Sequence, residues 1–295
     1  MTAADLGPVT IEYEITGEGI PLLLVMGLSC QLIHWPDDFV QQIADNGFKV
    51  IRFDNRDMGL STKFSTAPAG LPRLIGSLVS KRLAKSEYLL SDMADDAAAL
   101  LDHLGIDQAH IVGVSMGGMI AQSIAIGHPA KVLSLTSIMS NTGDNRNGRP
   151  KVSLLAKMSR LLDPSPDKVL SNGVESGRLI SGPHFDENEE RIIVQRAFDR
   201  CYSPDGTARQ TMAIAASADR TAGLRKLKVP TLVIHGLADP LVQPSGGRAT
   251  ARAVPDSRLL MFPDMAHDLP RNRWDEIIGA IVTNCMRAQV PSRIG

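Results

Sequence analysis

Aliphatic runs and amphipathic segments alternate along most of the chain. The run 21–26 (PLLLVM) is continuously apolar, as in a strand covered on both faces, and segment 35–46 places apolar residues at helical spacing. The same patterns predict strands over 10–16, 49–53, 109–114, 132–139, 229–235 and 257–262, and helices over 86–104, 115–127, 246–254 and 272–288. Such alternation predicts an α/β fold with a mostly parallel, doubly wound sheet and helices on both of its faces.

Two stretches interrupt this alternation. Residues 141–223 lack aliphatic strand runs and hold helical pieces broken by prolines, so we expect an inserted helical cap on a core formed by 1–140 and 224–295. The apolar pieces 152–162 and 192–202 are predicted to form the cap wall that faces the substrate, or alternatively to bury only against one another. Residues 65–85 mix prolines and glycines with apolar and basic residues, which favours a lid segment over a membrane-binding one.

Composition and charge exclude several classes of function. The 295 residues include 31 Lys+Arg and 32 Asp+Glu, a net charge of −1, without the basic clusters that nucleic-acid binding requires. The three cysteines form no CxxC pair, so we expect neither a disulfide framework nor a zinc site, and no cofactor. Residues 1–7 lack the features of a signal peptide, and no apolar run approaches the ~20 residues of a membrane span. We therefore expect a cytoplasmic protein without stable membrane anchoring.

The segment 113–117 (GVSMG) carries the strongest chemical signal. It follows the predicted strand 109–114 directly and opens the predicted helix 115–127. A nucleophilic serine requires this context, since it must lie on a tight turn at the carboxyl end of a strand, where small neighbours avoid clashes. Gly113 and Gly117 provide that space, and Ser115 is the predicted nucleophile. The alternative is a glycine-rich turn with an idle serine.

A serine hydroxyl becomes a good nucleophile when an imidazole takes its proton and a carboxylate orients that imidazole. In a fold with this strand-turn-helix elbow, the chain order is serine, acid, histidine. His267 lies between the last predicted strand and the last predicted helix and is the predicted general base. His235, at the end of its own strand, remains the alternative base.

Asp239 is the predicted acid of the triad. It follows the buried run 229–235 and precedes His267. Asp264 and Asp268 are the alternatives, although so short a spacing from His267 rarely lets a carboxylate reach the imidazole.

Acyl transfer also needs two backbone N–H groups that face the developing oxyanion. The N–H of Met116, next to the nucleophile, is one predicted donor. The loop after run 21–26 should supply the other, and we assign it to Leu28, with Gly27 giving the backbone freedom to turn. His34 and Trp35 are predicted to line the acyl pocket, with helix entry as the alternative role of Trp35.

These motifs together make the sequence resemble the α/β-hydrolase superfamily over essentially its whole length. The segments LLLVMG, WPDDFVQQIADNGFKVIRFDNRDMGLS, GVSMGG, PTLVIHGLADP and MAHDLP occur in matching order. Within the superfamily the chain is most similar to the esterases grouped with aclacinomycin methylesterase. The family's catalytic triad then falls on Ser115, Asp239 and His267, and the loop 54–59 corresponds to a structural motif at the site entrance.

The chain departs from the wider pattern at two places. Met26-Gly27 stands where many members of the superfamily have His-Gly, although the methylesterase relatives also have Met-Gly. Ala266 replaces the glycine that precedes the family's histidine. The cap shows the least similarity, so the resemblance implies esterase chemistry and leaves the individual substrate open.

The resulting expectation is a serine carboxylesterase that acts on small-molecule esters through an acyl-enzyme intermediate. The same triad would also serve a lactonase, thioesterase, carbon–carbon hydrolase or perhydrolase. A non-catalytic ligand receptor is the alternative from another class, and the complete triad counts against it. A metal-dependent mechanism is not expected, because the HExxH and phosphate-loop motifs are missing from the sequence.

Overall fold

The computed structural model describes residues 2–67, 84–161 and 165–288. Most of the predicted lid segment 65–85, and Leu162 at the end of one predicted cap piece, lie outside the described residues. The strands are β1 (Thr2–Asp5), β2 (Thr10–Thr16), β3 (Ile20–Val25), β4 (Phe48–Phe53), β5 (Ala109–Val114), β6 (Val132–Ile138), β7 (Thr231–Gly236) and β8 (Arg258–Phe262).

The described residues form one eight-stranded sheet with the order β1-β2-β4-β3-β5-β6-β7-β8. Strands β3 to β8 pair in parallel, whereas β1 and β2 join the edge of the sheet in antiparallel fashion. This arrangement confirms the predicted mostly parallel, doubly wound α/β fold. Strand β1 was not predicted, since its four residues TAAD carry too little apolar signal and lie at the edge of the sheet, where they pair with β2.

Ten α-helices lie in the described residues. They are α1 (Asp37–Ala44), α2 (Leu90–His103), α3 (Met116–Gly127), α4 (Val152–Met158), α5 (Pro166–Ile180), α6 (Glu187–Arg200), α7 (Pro204–Ala216), α8 (Thr221–Leu224), α9 (Ser245–Ala253) and α10 (Trp274–Arg287). Single 3₁₀ turns occur at Leu32–His34, Pro129–Lys131, Ser159–Leu161 and Arg271–Arg273. In the described part of the chain, no helix combines the length and apolar character that a membrane crossing requires.

Strand β3 contributes to both faces of the core, as its continuous apolar run predicts. Leu23 and Val25 point into a cluster with residues of α2 and α3, whereas Leu22 and Leu24 point into a cluster with residues of α1 and α10. A strand buried on both faces belongs at the centre of a parallel sheet. The carboxyl end of β3 therefore lies beside that of β5, where the serine turn begins.

Between β6 and β7 the described residues form helices α4 to α8, the last of which ends at Leu224, one residue beyond the predicted cap 141–223. Helix α6 has no fully buried residue, and its Ile192 is 60% exposed. Val152, at the start of α4, is 82% exposed. Both side chains are thus exposed to solvent in the ligand-free structure, and the wall formed by 152–162 and 192–202 toward the substrate stays a prediction.

Candidate active site

Loops at the carboxyl ends of β5, β7 and β8 bring together a serine, an aspartate and a histidine. The Oγ of Ser115 lies 2.9 Å from the Nε2 of His267, and the Nδ1 of His267 lies 2.7 Å from the Oδ2 of Asp239. With a neutral imidazole, the serine hydroxyl donates to Nε2 and the Nδ1–H donates to the carboxylate. The three side chains that the sequence predicts as a catalytic triad are thus in contact in the structure. Their catalytic roles remain a prediction.

Ser115 lies in a strained backbone conformation, with φ 54° and ψ −121°. Its N–H donates to the carbonyl of Ile138 on β6, and its own carbonyl accepts from the hydroxyl of Ser140. Left-handed backbone at a residue other than glycine costs about 1–3 kcal/mol and persists only where the surroundings hold it. These contacts fix the serine on the turn between β5 and α3, with its side chain directed to His267.

Two glycines make this tight turn possible. A Cβ on Gly113 would lie 2.1 Å from the carbonyl oxygen of Gly117, and one on Gly117 would lie 2.0 Å from the carbonyl oxygen of Val25. Both obstacles are backbone atoms, which cannot rotate away. Gly27 approaches the nucleophile from the other side, since a Cβ there would lie 3.2 Å from the Cβ of Ser115.

We expect Gly117→Ala to lower the free energy of unfolding by about 3 kcal/mol, because the new methyl group overpacks against the backbone of β3. Gly127→Ala is the matched control. Gly127 lies in the same helix, and a Cβ there meets nothing within 4 Å. Alanine at this position should be neutral or raise stability by up to about 1 kcal/mol. Urea unfolding measures both changes, and equal stability of the two variants would contradict the close-approach argument.

Asp239 is held by four groups around its carboxylate. Its Oδ1 accepts from the N–H groups of Leu241 and Val242, both at 2.8 Å, while Oδ2 faces His267 and lies 3.5 Å from the Nε2 of His235. Burial by itself raises the pKa of Asp239, but the two histidines outweigh it and bring this pKa to about 2. The carboxylate is therefore ionised at neutral pH and can stabilise an imidazolium.

The alternative bases and acids have other partners. The Nε2–H of the buried His235 donates to the carbonyl of Val242 at 2.7 Å, and in the described residues the imidazole that contacts Ser115 is that of His267. Asp264 pairs with Arg273 and His184, and Asp268 accepts from two backbone N–H groups. In the described part of the chain, the carboxylate that contacts the imidazole of His267 belongs to Asp239.

The loop after β3 and the start of α3 flank the serine with backbone N–H groups. Within the described residues, neither the N–H of Leu28 nor that of Met116 donates to a protein acceptor. The close approach of Gly27 to Ser115 places the Leu28 loop beside the nucleophile. Two free N–H groups next to a serine are what an oxyanion hole needs.

The two residues predicted to line the acyl pocket have different environments. The Nδ1 of His34 accepts from the N–H of Gln31, and burial lowers the pKa of His34 to about 4, so the ring is neutral. Trp35 is fully buried and stacks on Phe39, with the ring centroids 5.8 Å apart. Trp35 thus packs at the entry of α1, in the alternative role that the sequence offered.

The loop 54–59 contacts two helices of the predicted cap. Asp54 accepts from the N–H of Leu32 at 2.7 Å and from Arg200 at the end of α6, also at 2.7 Å. Asp57 forms a paired contact with Arg209 of α7, at 2.8 and 2.9 Å. Neither arginine was singled out from the sequence, because pairs between residues about 150 positions apart leave no local pattern.

The described residues contain no group of three or more histidine, cysteine, aspartate or glutamate side chains suited to hold a metal ion.

Two similar curated proteins are rhodomycin D methylesterases. The chain is 29% identical to DauP from Streptomyces sp. (strain C5) and 28% identical to DnrP from Streptomyces peucetius, in each case over 95% of this chain and 97% of the relative. These relatives confirm the resemblance to the aclacinomycin methylesterase group.

Solved structures share the fold. A thermophilic esterase from Thermogutta terrifontis superposes with a TM-score of 0.72 at 24% identity, covering 96% of this chain and 95% of that one. The enol-lactonase from Burkholderia xenovorans LB400 gives a TM-score of 0.75 at 22% identity, covering 97% and 100%. The family described as alpha/beta hydrolase fold matches residues 20–270. The chain belongs to the α/β-hydrolase fold family.

Proposed function

We propose that this protein is a serine carboxylesterase that hydrolyses small-molecule carboxylic esters through an acyl-enzyme intermediate. The observation that carries the proposal is the chain of hydrogen bonds from Ser115 through His267 to Asp239, at 2.9 and 2.7 Å, on a strained strand-to-helix turn. A binding protein does not need this arrangement, whereas an acyl-transfer enzyme does. The similarity to two methylesterases supports the ester bond as the one cleaved.

In the first half-reaction, the Oγ of Ser115 attacks the ester carbonyl carbon and its proton passes to the Nε2 of His267. The carbonyl electron pair moves onto the oxygen, which accepts from the N–H groups of Leu28 and Met116. Asp239 stabilises the imidazolium and keeps its Nδ1–H directed toward the carboxylate. When the tetrahedral intermediate collapses, the C–O bond to the alcohol breaks and His267 gives its proton to the leaving oxygen.

In the second half-reaction, water replaces the alcohol. His267 takes a proton from this water as the oxygen attacks the acyl carbon, and the same two N–H groups hold the oxyanion. Collapse breaks the bond to Ser115, returns the proton to its Oγ and releases the carboxylic acid. Each proton transfer uses the single imidazole that contacts both Ser115 and Asp239.

Hydrolysis of p-nitrophenyl esters from acetate to palmitate tests the proposal, alongside a thioester and a lactone of matched acyl size. We expect the ester to be turned over with the highest kcat/KM, and the optimal chain length to report the depth of the acyl pocket. A higher kcat/KM for the thioester or the lactone would mean that this bond, and not the ester, is the one the protein cleaves best. The proposed roles of Ser115, His267 and Asp239 would stay the same. A folded protein that cleaves none of the three would contradict the proposal.

A further inference from the structure

The loop that carries Leu28 is held by the cap as well as by the core. Gln210, on α7, is completely buried and lies between two core loops. Its Oε1 accepts from the N–H of Ser29 at 3.1 Å, and its Nε2 donates to the carbonyl of Arg56 at 2.9 Å. A single cap side chain thus joins the residue after Leu28 to the loop that follows β4.

Two further cap contacts reach the same loop. The hydroxyl groups of Ser29 and Thr207, one turn before Gln210 on α7, lie 2.8 Å apart. The Nε2 of Gln31 donates to the carbonyls of Ala197 and Cys201 at 2.7 and 2.8 Å. The side chains of Gln210, Thr207 and Gln31 therefore form hydrogen bonds between residues 29–31 and the cap. Gln210 also donates to the core loop at Arg56.

The backbone of this loop needs such support. Ser29 has φ 65°, a left-handed conformation that residues other than glycine adopt at a cost. The N–H that Gln210 binds belongs to the planar peptide between Leu28 and Ser29. When that peptide plane is fixed, rotation about Leu28 is restricted, and so is the direction of the Leu28 N–H. The contact at Ser29 thereby fixes the direction in which the N–H of Leu28, the proposed oxyanion donor, points.

We propose that Gln210 is a positioning residue through which the seated cap completes the oxyanion hole. The inference rests on the proposed function and adds a role for the cap that is separate from substrate shape. Gln210 touches neither the nucleophile nor the reacting atoms; it acts through the Leu28–Ser29 peptide. Loss of its contact should reduce stabilisation of the transition state more than binding of the substrate, because the oxyanion forms only during reaction.

The test compares Gln210→Met, which keeps the length of the side chain and removes both hydrogen bonds, with Gln210→Glu. We expect Gln210→Met to lower kcat about 10- to 100-fold on a p-nitrophenyl ester, with KM changed by less than about threefold. In Gln210→Glu a neutral carboxyl can still accept from Ser29 and donate to Arg56. Burial raises the pKa of a carboxyl. Once ionised, this carboxyl cannot donate to the carbonyl of Arg56, and repulsion between the two oxygens should displace it from its place beside Ser29. The kcat ratio of this variant to wild type should therefore be near one at pH 6 and fall as pH rises.

If Gln210→Met does not fold, a second pair of variants tests the contact between the cap and Ser29 through Thr207 instead. Thr207→Val removes the hydroxyl that meets Ser29, whereas Thr211→Val removes a hydroxyl on the same helix that, among the described residues, donates to the carbonyl of Thr207. We expect kcat to fall about threefold in Thr207→Val and to stay at the wild-type value in Thr211→Val. Thermal unfolding of every variant accompanies the kinetics.

A folded Gln210→Met with kcat within twofold of wild type would overturn the inference. So would equal kcat in the two threonine variants together with a pH-independent ratio for Gln210→Glu. These outcomes differ from failure of the proposed function, in which wild type lacks turnover or Ser115→Ala retains it.

Discussion

Replacement of Ser115 by alanine is expected to lower kcat for ester hydrolysis by about 10⁶-fold, to the level set by binding and the oxyanion hole alone. The Oγ of Ser115 forms the bond to the acyl carbon, and its removal leaves His267 without a proton to accept. The fold should survive, because the contacts that hold the turn involve the backbone N–H and carbonyl of this residue. Steady-state kinetics on a p-nitrophenyl ester, with circular dichroism of the variant, measures the effect.

Ser123→Ala is the matched control, since Ser123 lies on α3, the helix that follows Ser115, and its hydroxyl donates to the carbonyl of Met119. It should retain the kcat of wild type. A Ser115→Ala variant that keeps more than about one per cent of wild-type kcat would mean that another side chain attacks the ester. Direct attack by water in the variant is expected to be far slower than that.

Asp239→Asn is expected to lower kcat by about 10⁴-fold while leaving KM nearly unchanged. An amide in place of the carboxylate can present its NH₂ to the imidazole, which favours the tautomer with its proton on Nε2, and it cannot stabilise the imidazolium. Because the pKa of Asp239 is about 2, the carboxylate is ionised from about pH 4 upward. The loss of activity in the variant should therefore be present across the whole neutral range.

Asp264→Asn separates this effect from a general change of charge near His267. Asp264 lies three residues before His267 and pairs with Arg273 and His184 instead of with the imidazole of His267. We expect its kcat to stay within about threefold of wild type, as ion pairs that are partly open to solvent contribute little. Similar losses in the two variants would argue that charge around the loop, and not the contact with Nδ1, governs the rate.

The sequence predicted the fold well where the signal is local. Buried parallel strands need continuous apolar runs, so β3, β5 and β7 were predicted to within two residues at either end. The start of α2 was predicted four residues too early. Tyr88 precedes the helix, and its hydroxyl donates to Asp57, while the side chain of Asp92 caps the N–H of Leu89. That long-range contact with Asp57 is not visible in a hydrophobic pattern.

In the candidate site, too, the residues predicted from the sequence are those that a local motif specifies. Ser115 was predicted from a motif whose spacing is dictated by the turn itself, and the chain order then limited the choice of acid and base. Gln210 and Arg200 were missed, because each acts through a contact with a loop far away in sequence. Val152 and Ile192 show the converse, since apolar residues on a cap helix gave a helical signal but did not specify which side faces solvent.

Labelling with a fluorophosphonate tests the central claim most directly, because the reagent phosphonylates a serine that an adjacent base activates. We predict one adduct per chain, mapped by peptide mass spectrometry to the segment that holds Ser115, with ester hydrolysis lost in proportion to labelling. Ser115→Ala should stay unlabelled. Ester hydrolysis that persists after complete labelling, or an adduct on a different residue that accounts for the inhibition, would contradict the assignment of Ser115 as the nucleophile.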